Sequence, residues 1–210
     1  MTDLRIGFIG LGNVGSQLAG NLLRHGVDLT VRDIDAGRVA PLVARGARAA
    51  GSPRELAAAV EVVITCLPSP AVCAAVMEGE DGVLAGMARG ALWLEMSTTD
   101  HEEVSRLAAR VAACGATALD CPVSGGCHRA ASGNISIFAG GTRAAFERAL
   151  PVLAIFRDGA RRYGGRELSP NIIRRLEEAC GVRVQGEGFP AQLTDSEPKV
   201  VGYEVVPRRA

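Results

Sequence analysis

A strand-like run, Leu4-Arg5-Ile6-Gly7-Phe8-Ile9, ends in Gly10-Leu11-Gly12-Asn13-Val14-Gly15, and a helical stripe of Val14, Leu18, Ala19, Leu22 and Leu23 follows at once. With 26 glycines in 210 residues, a G-x-G-x-x-G match alone says little. Its setting says much more: a strand before it, a helix after it, and an acidic residue at the right distance. Gly10 permits a tight turn off the strand, Gly12 lets a pyrophosphate approach the backbone, and Gly15 lets the helix pack closely on the sheet. The phosphates would lie on the unpaired N–H groups and positive dipole end of a helix starting near Asn13. The plainer alternative is a strand-to-helix turn that binds nothing.

The stripe stops at His25-Gly26, with glycine where a helix C-terminus favours it. Residues 27–31 read as a second strand ending at Arg32-Asp33, which completes a βαβ unit of the expected size. Asp33 lies 18 positions past Gly15, near the spacing of a carboxylate that grips an adenosine ribose. A carboxylate there accepts from both ribose hydroxyls and repels a 2′-phosphate, which favours NAD over NADP. Arg32 and Arg38 keep NADP open, since a guanidinium pairs well with phosphate. A solvated turn residue is the alternative role for Asp33.

The alternation continues. A helix is predicted over 36–45 and a short strand over 47–50. Ser52-Pro53-Arg54-Glu55 reads as a capping box with proline at the first helical position. Residues 62–67 and 91–96 are apolar runs that suit strands buried on both faces. Asp100 caps a helix, with Glu103 placed to complete a second box. Short strands are predicted at 117–119 and 135–139, separated by a Gly-rich loop, and a helix over 143–153. Strands alternating with helices predict an α/β fold, a doubly wound, Rossmann-type, mostly parallel sheet over residues 1–165. Residues 166–210 read as a short C-terminal appendage: Ser169-Pro170 opens a helix over 171–180, a strand follows at 182–185, and an extended tail ends the chain.

In such sheets ligands bind beyond the carboxyl ends of the strands. Residues 10–15, Asp33, Leu67-Pro68-Ser69-Pro70, Ser97-Thr98 and Cys121-Pro122-Val123-Ser124-Gly125-Gly126 all fall just after predicted strands, on that one edge.

Composition narrows the partners. Formal net charge is zero, so nothing argues for nucleic acid or an anionic membrane. No apolar run approaches the ~18 residues that span a bilayer, and Asp3 with the early glycines breaks any signal-peptide core. The six cysteines form no C-x-x-C pair and read as reduced thiols of a cytoplasmic protein. Cys121 with Cys127-His128 lacks a complete ligand set, so no metal is expected. The chain has 22 arginines and one lysine, Lys199.

Five stretches together resemble the β-hydroxyacid dehydrogenases, relatives of 6-phosphogluconate dehydrogenase. They are Gly7-Phe8-Ile9 with the glycine turn, Cys66-Leu67-Pro68, Glu95-Met96-Ser97-Thr98-Thr99, Asp120-Cys121-Pro122-Val123-Ser124-Gly125-Gly126 and Gly140-Gly141, spread over residues 1 to 156. The Pro-Val-Ser-Gly-Gly stretch is the specific one. The resemblance implies hydride transfer between a nicotinamide and the hydroxyl carbon of a small 3-hydroxy acid. It implies Leu67 and Pro68 lining the nicotinamide, Ser97 and Thr98 near its ribose and the substrate, and Ser124, Gly125 and Gly126 holding the substrate carboxylate. Glycines suit that last role, because they expose N–H donors and allow an anion close approach. A turn hydroxyl bonded to its own backbone is the alternative for Ser124.

The family pattern also implies a helical domain after the Rossmann domain, opening with a lysine that acts as general acid/base. Here no long apolar helices and no lysine follow until Lys199. His128, beyond Ser-Gly-Gly, titrates in a suitable range, although a solvated loop histidine is the simpler reading. The expectation is a chain that binds NAD, or NADP, with impaired catalysis unless a partner completes it. A catalytically silent dinucleotide-binding or scaffold protein is the alternative, a poorly folded truncated product a third. A homo-oligomer is left open, because the family's usual interface lies in the helical domain.

Overall fold

The computed structural model describes residues 4–156. The helix, strand and tail expected beyond residue 165 lie outside the described residues. Six strands form one parallel sheet in the order β3-β2-β1-β4-β5-β6: β1 Arg5–Ile9, β2 Asp28–Arg32, β3 Arg48–Ala49, β4 Val62–Thr65, β5 Leu92–Glu95 and β6 Thr117–Asp120. The order reverses between β1 and β4, the switch point at which such sheets open a crevice.

The central strands are buried on both faces, and alternate side chains serve two cores. Ile6, Phe8, Val62, Ile64, Leu92 and Leu94 point to one face, beneath α1 (Gly15–Arg24) and α8 (Arg143–Ile155). Val63 and Trp93 point to the other, with Leu56 of α3 (Pro53–Ala58), Met77 of α4 (Pro70–Glu78) and Leu107 of α6 (His101–Ala113). Each fully buried Leu, Ile or Phe contributes roughly 1.5–3 kcal/mol. Gly7 shows how tightly the layers meet. A Cβ there would lie 2.2 Å from Leu56 Cδ2, so α3 rests directly on the β1 backbone.

Local signals set the boundaries. Ser52 Oγ accepts from Glu55 N at 3.1 Å, while the Glu55 carboxylate takes Gly51 N at 2.7 Å, one residue before the position a standard box would use. Asp100 caps α6 by accepting from Glu103 N at 3.0 Å. The second half of that expected box does not form. Glu103 turns to Arg106 at 2.8 Å, which also binds Glu78 of α4 at 2.6 Å, so charge pairing across two helices wins over capping. Helix α2, Ala36–Val43, ends two residues earlier than expected, before Gly46 at φ +106°.

The largest departure lies after β6. The strand expected at 135–139 does not join the parallel sheet. Its core, β8 (Ser136–Ile137), pairs antiparallel with β7 (Val123–Ser124), and Asp120 bridges to Gly140. The intervening Gly-rich loop contains a helix, α7 (Gly126–Ser132). Two-residue strands and a seven-residue helix are too short for periodicity to reveal. Helix α5, Val83–Gly86, is a single short turn, and α4, capped by Ser69 with Pro70 at its start, follows the Pro68-Ser69-Pro70 stop. No helix among the described residues is long and apolar enough to cross a membrane.

Candidate dinucleotide and substrate site

The glycine turn is shaped by three different needs. Gly10 adopts φ +94°, and a Cβ on it would stand 2.3 Å from the Cys66 carbonyl oxygen. A Cβ on Gly15 would stand 2.0 Å from the Gly10 carbonyl oxygen. Gly12 differs: the position of its missing Cβ is open, with only the Arg38 guanidinium near, at 3.7 Å. Helix α1 begins after this turn with no side chain capping its N-terminus. In contrast, Asp35, Ser52, Ser69, Asp100 and Thr142 cap α2, α3, α4, α6 and α8. Unpaired N–H groups beside an open glycine fit a dinucleotide pyrophosphate.

Asp33 is buried, 7% exposed, at the end of β2. Its Oδ2 accepts from Leu11 N at 2.6 Å and its Oδ1 from Asp35 N at 2.9 Å. The carboxylate is therefore fixed against the turn itself, with lone pairs remaining for ribose hydroxyls. Beside it Ile34 is 98% exposed, an apolar side chain in the loop that follows β2. Arg38 pairs loosely with Asp35 at 3.5 Å, and Arg32 Nε is buried with no hydrogen-bond partner among the described residues.

On the other side of the switch point, the loops after β4 and β5 are joined. Leu67 N donates to Ser97 Oγ at 2.7 Å, and Ser97 N donates to the Glu95 carboxylate at 2.7 Å. Ser97 is buried, whereas Thr98 is exposed. Of that pair, Thr98 is the solvent-accessible one and Ser97 holds the loop. Pro68 leads into the Ser69 cap of α4.

Ser124 is half-buried in β7, and Gly125 and Gly126 follow with φ of +130° and +76°. Positive φ at two successive residues suits glycine, which leaves the backbone there unshielded by side chains. Asn21 and Arg24 of α1 donate to the carbonyls of Ala130 and Ala131 in α7, which ties this loop to the helix of the glycine turn. His128 is exposed, its ring leaning toward Gly126. His25 Nδ1 lies 2.9 Å from the Asn21 carbonyl, at the C-terminus of α1. Among the described residues no three metal-ligating side chains come together.

Burial sets the thiol chemistry. It pushes Cys66 and Cys121 up to about 12, helped for Cys66 by Glu95 and for Cys121 by Asp120 and Glu95. Asp120 is also raised, by burial first and then by Glu95, its neighbour across the strands. Sequence reasoning assigned no role to Glu95, Thr65, Trp93 or Asn21. The signal available was a lone carboxylate ending an otherwise apolar buried strand.

The model of the NAD binding domain of 6-phosphogluconate dehydrogenase matches residues 5–163. The chain belongs to the β-hydroxyacid dehydrogenase family. A 3-hydroxyisobutyrate dehydrogenase of Pseudomonas aeruginosa is 41% identical over 153 residues, 73% of this chain and 51% of that protein. The solved structure of 3-hydroxyisobutyrate dehydrogenase from Salmonella typhimurium superposes with a TM-score of 0.69 at 35% identity, covering 73% of this chain and 54% of that one. Psf3 in complex with NADP+ and 2-OPP gives 0.69 at 30% identity, covering 72% and 54%. The chain spans about half the length of the curated relatives it matches. These likenesses agree with an NAD(P)-binding domain, and the residues around Gly12 fit that cofactor.

Proposed function

We propose that this domain binds NAD(H) and presents a small 3-hydroxy acid for hydride transfer. The pyrophosphate lies on residues 10–15 and the α1 N-terminus, the adenosine ribose at Asp33, and the nicotinamide between Leu67, Pro68 and Thr98. The acid's carboxylate is held by the Ser124 hydroxyl and the N–H groups of Gly125 and Gly126. The observation that carries the reading is the uncapped α1 start, open above Gly12 and flanked by a carboxylate bonded to the turn. NAD supplies the hydride acceptor. The domain's own work is to orient the hydroxyl carbon and exclude misplaced acids. The residue numbered Ser97 serves the cofactor indirectly, through Leu67, rather than by its own exposure.

Oxidising a hydroxyl also requires a group that takes its proton. The described residues contain no lysine, and the chain's single lysine is Lys199. A positioned acid/base contributes roughly 10²–10⁴ in rate, so turnover resting on the described residues is expected to be slow. His128 is exposed, with its ring near Gly126 beside the assigned acid site, and no hydrogen bond among the described residues orients it for proton transfer. The test is NAD reduction with 3-hydroxyisobutyrate and other small 3-hydroxy acids, for the chain and for Ser124→Ala. Slow turnover lost in Ser124→Ala supports the reading. Turnover indifferent to that change contradicts the assigned acid site. Dinucleotide binding with no turnover for any acid makes the chain a silent binding module.

A further inference from the structure

Among the described residues Glu95 is the charged side chain with the least exposure, 0%, and it stands where β5 ends at the ligand edge of the sheet. Its carboxylate has partners in two directions. Oε1 accepts from Ser97 N at 2.7 Å, and Ser97 Oγ in turn accepts from Leu67 N at 2.7 Å. Oε2 accepts from Thr65 Oγ1 at 2.5 Å and from Cys73 Sγ at 3.1 Å. Thr65 Oγ1 also accepts from Trp93 Nε1 at 2.8 Å. One carboxyl group thus organises β4, α4, β5 and the two loops that follow β4 and β5.

A buried charge is costly unless hydrogen-bonded, and an apolar residue of like shape usually serves a core as well or better. Packing therefore does not account for Glu95. The two loops it governs are those assigned above to the nicotinamide end of the cofactor. We propose that Glu95 is the positioning residue of this edge: it fixes the Ser97 backbone, and Ser97 fixes the Leu67-Pro68 turn, so both loops meet the nicotinamide as one unit. This rests on the proposed dinucleotide site. A glutamine can keep Ser97 N on its oxygen and turn its amide N–H groups to the Thr65 hydroxyl and the Cys73 sulfur, both able to accept, whereas leucine removes the acceptor of Ser97 N altogether.

Trp93 is the chain's single tryptophan, so its emission reports directly on the Thr65 arm of the network. The test compares Glu95→Leu, Glu95→Gln and Ser97→Ala in the full chain. It measures Trp93 emission and the affinity for two ligands, NADH and ADP-ribose, the second lacking the nicotinamide. Glu95→Leu, which removes the acceptor of Ser97 N, should shift the emission and weaken NADH about tenfold, with ADP-ribose held within about twofold. Glu95→Gln, which keeps an oxygen for Ser97 N, should match the parent in both affinities. Should Glu95→Leu fail to melt cooperatively, Ser97→Ala, which removes the acceptor of Leu67 N, decides by the same two affinities. Equal losses for NADH and ADP-ribose, or no loss of NADH, would overturn the positioning role while leaving the dinucleotide site standing. A parent chain that binds neither ligand removes the site and this role together.

Discussion

Two glycines in one turn separate folding from binding. Replacing Gly15 by Ala puts a Cβ 2.0 Å from the Gly10 carbonyl oxygen and 3.2 Å from Phe8 Cε1. The first of these is backbone, about 1.4 Å inside ordinary contact, and Gly10 has no slack because its own Cα faces Cys66 O. Overpacking of this kind costs roughly 1–3 kcal/mol. At about 2–4 °C per kcal/mol for a chain of this size, Gly15→Ala should lower Tm by roughly 2–12 °C. Gly12→Ala meets open space, with only the mobile end of Arg38 at 3.7 Å. Its stability should stay within about 0.5 kcal/mol of the parent, or rise slightly through the stiffer unfolded chain. The same methyl stands where the pyrophosphate must approach. Losing charge-assisted hydrogen bonds worth about 1.5–3 kcal/mol should weaken NADH by roughly 10–100-fold. Thermal melts and NADH titrations of both variants give the assay. A Gly12→Ala chain with parental NADH affinity would refute the phosphate site, and an unperturbed Gly15→Ala chain would refute the packing argument.

Asp33→Asn removes the charge that repels a 2′-phosphate, so the preference for NADH over NADPH should shrink by about tenfold in parallel titrations. Asp120 is raised in the folded state, so its protonated form favours folding; that stability is complete below the ordinary Asp range near pH ~4 and is lost as pH rises through the raised value. Asp120→Asn should therefore melt above the parent at neutral pH, with the difference vanishing in melts below about pH 4. Cys127 is exposed while Cys66 and Cys121 are pushed up to about 12. Thiol labelling mapped by mass should modify Cys127 first, Cys66 more slowly, and Cys121 only on unfolding.

Much of this was legible because the physics is local. The glycine turn, the apolar runs at 62–67 and 91–96, and the caps at Ser52 and Asp100 each carry their reason within a few neighbouring residues. The gathering of the strand-to-helix loops on one edge followed from topology alone, since a parallel sheet places them all on one side. What stayed hidden depends on partners distant in sequence. Glu103 reads as half of a capping box until Glu78 and Arg106 are brought beside it. The β7–β8 hairpin draws on pairing between Ser124 and Ser136, which no short-range pattern marks. That Ser97 Oγ also accepts from Leu67 N, 30 positions away, is marked by no local pattern. Glu95 could be suspected as a lone charge in an apolar strand, but its donors come from Thr65 and Cys73, about 20–30 positions away.

The central claim is that residues 10–15 and Asp33 hold NAD. Calorimetric titration of the full chain with NADH and with NADPH tests it most directly. One NADH should bind per chain, more tightly than NADPH. Absence of binding heat for both nucleotides, in a chain that melts cooperatively, would contradict it.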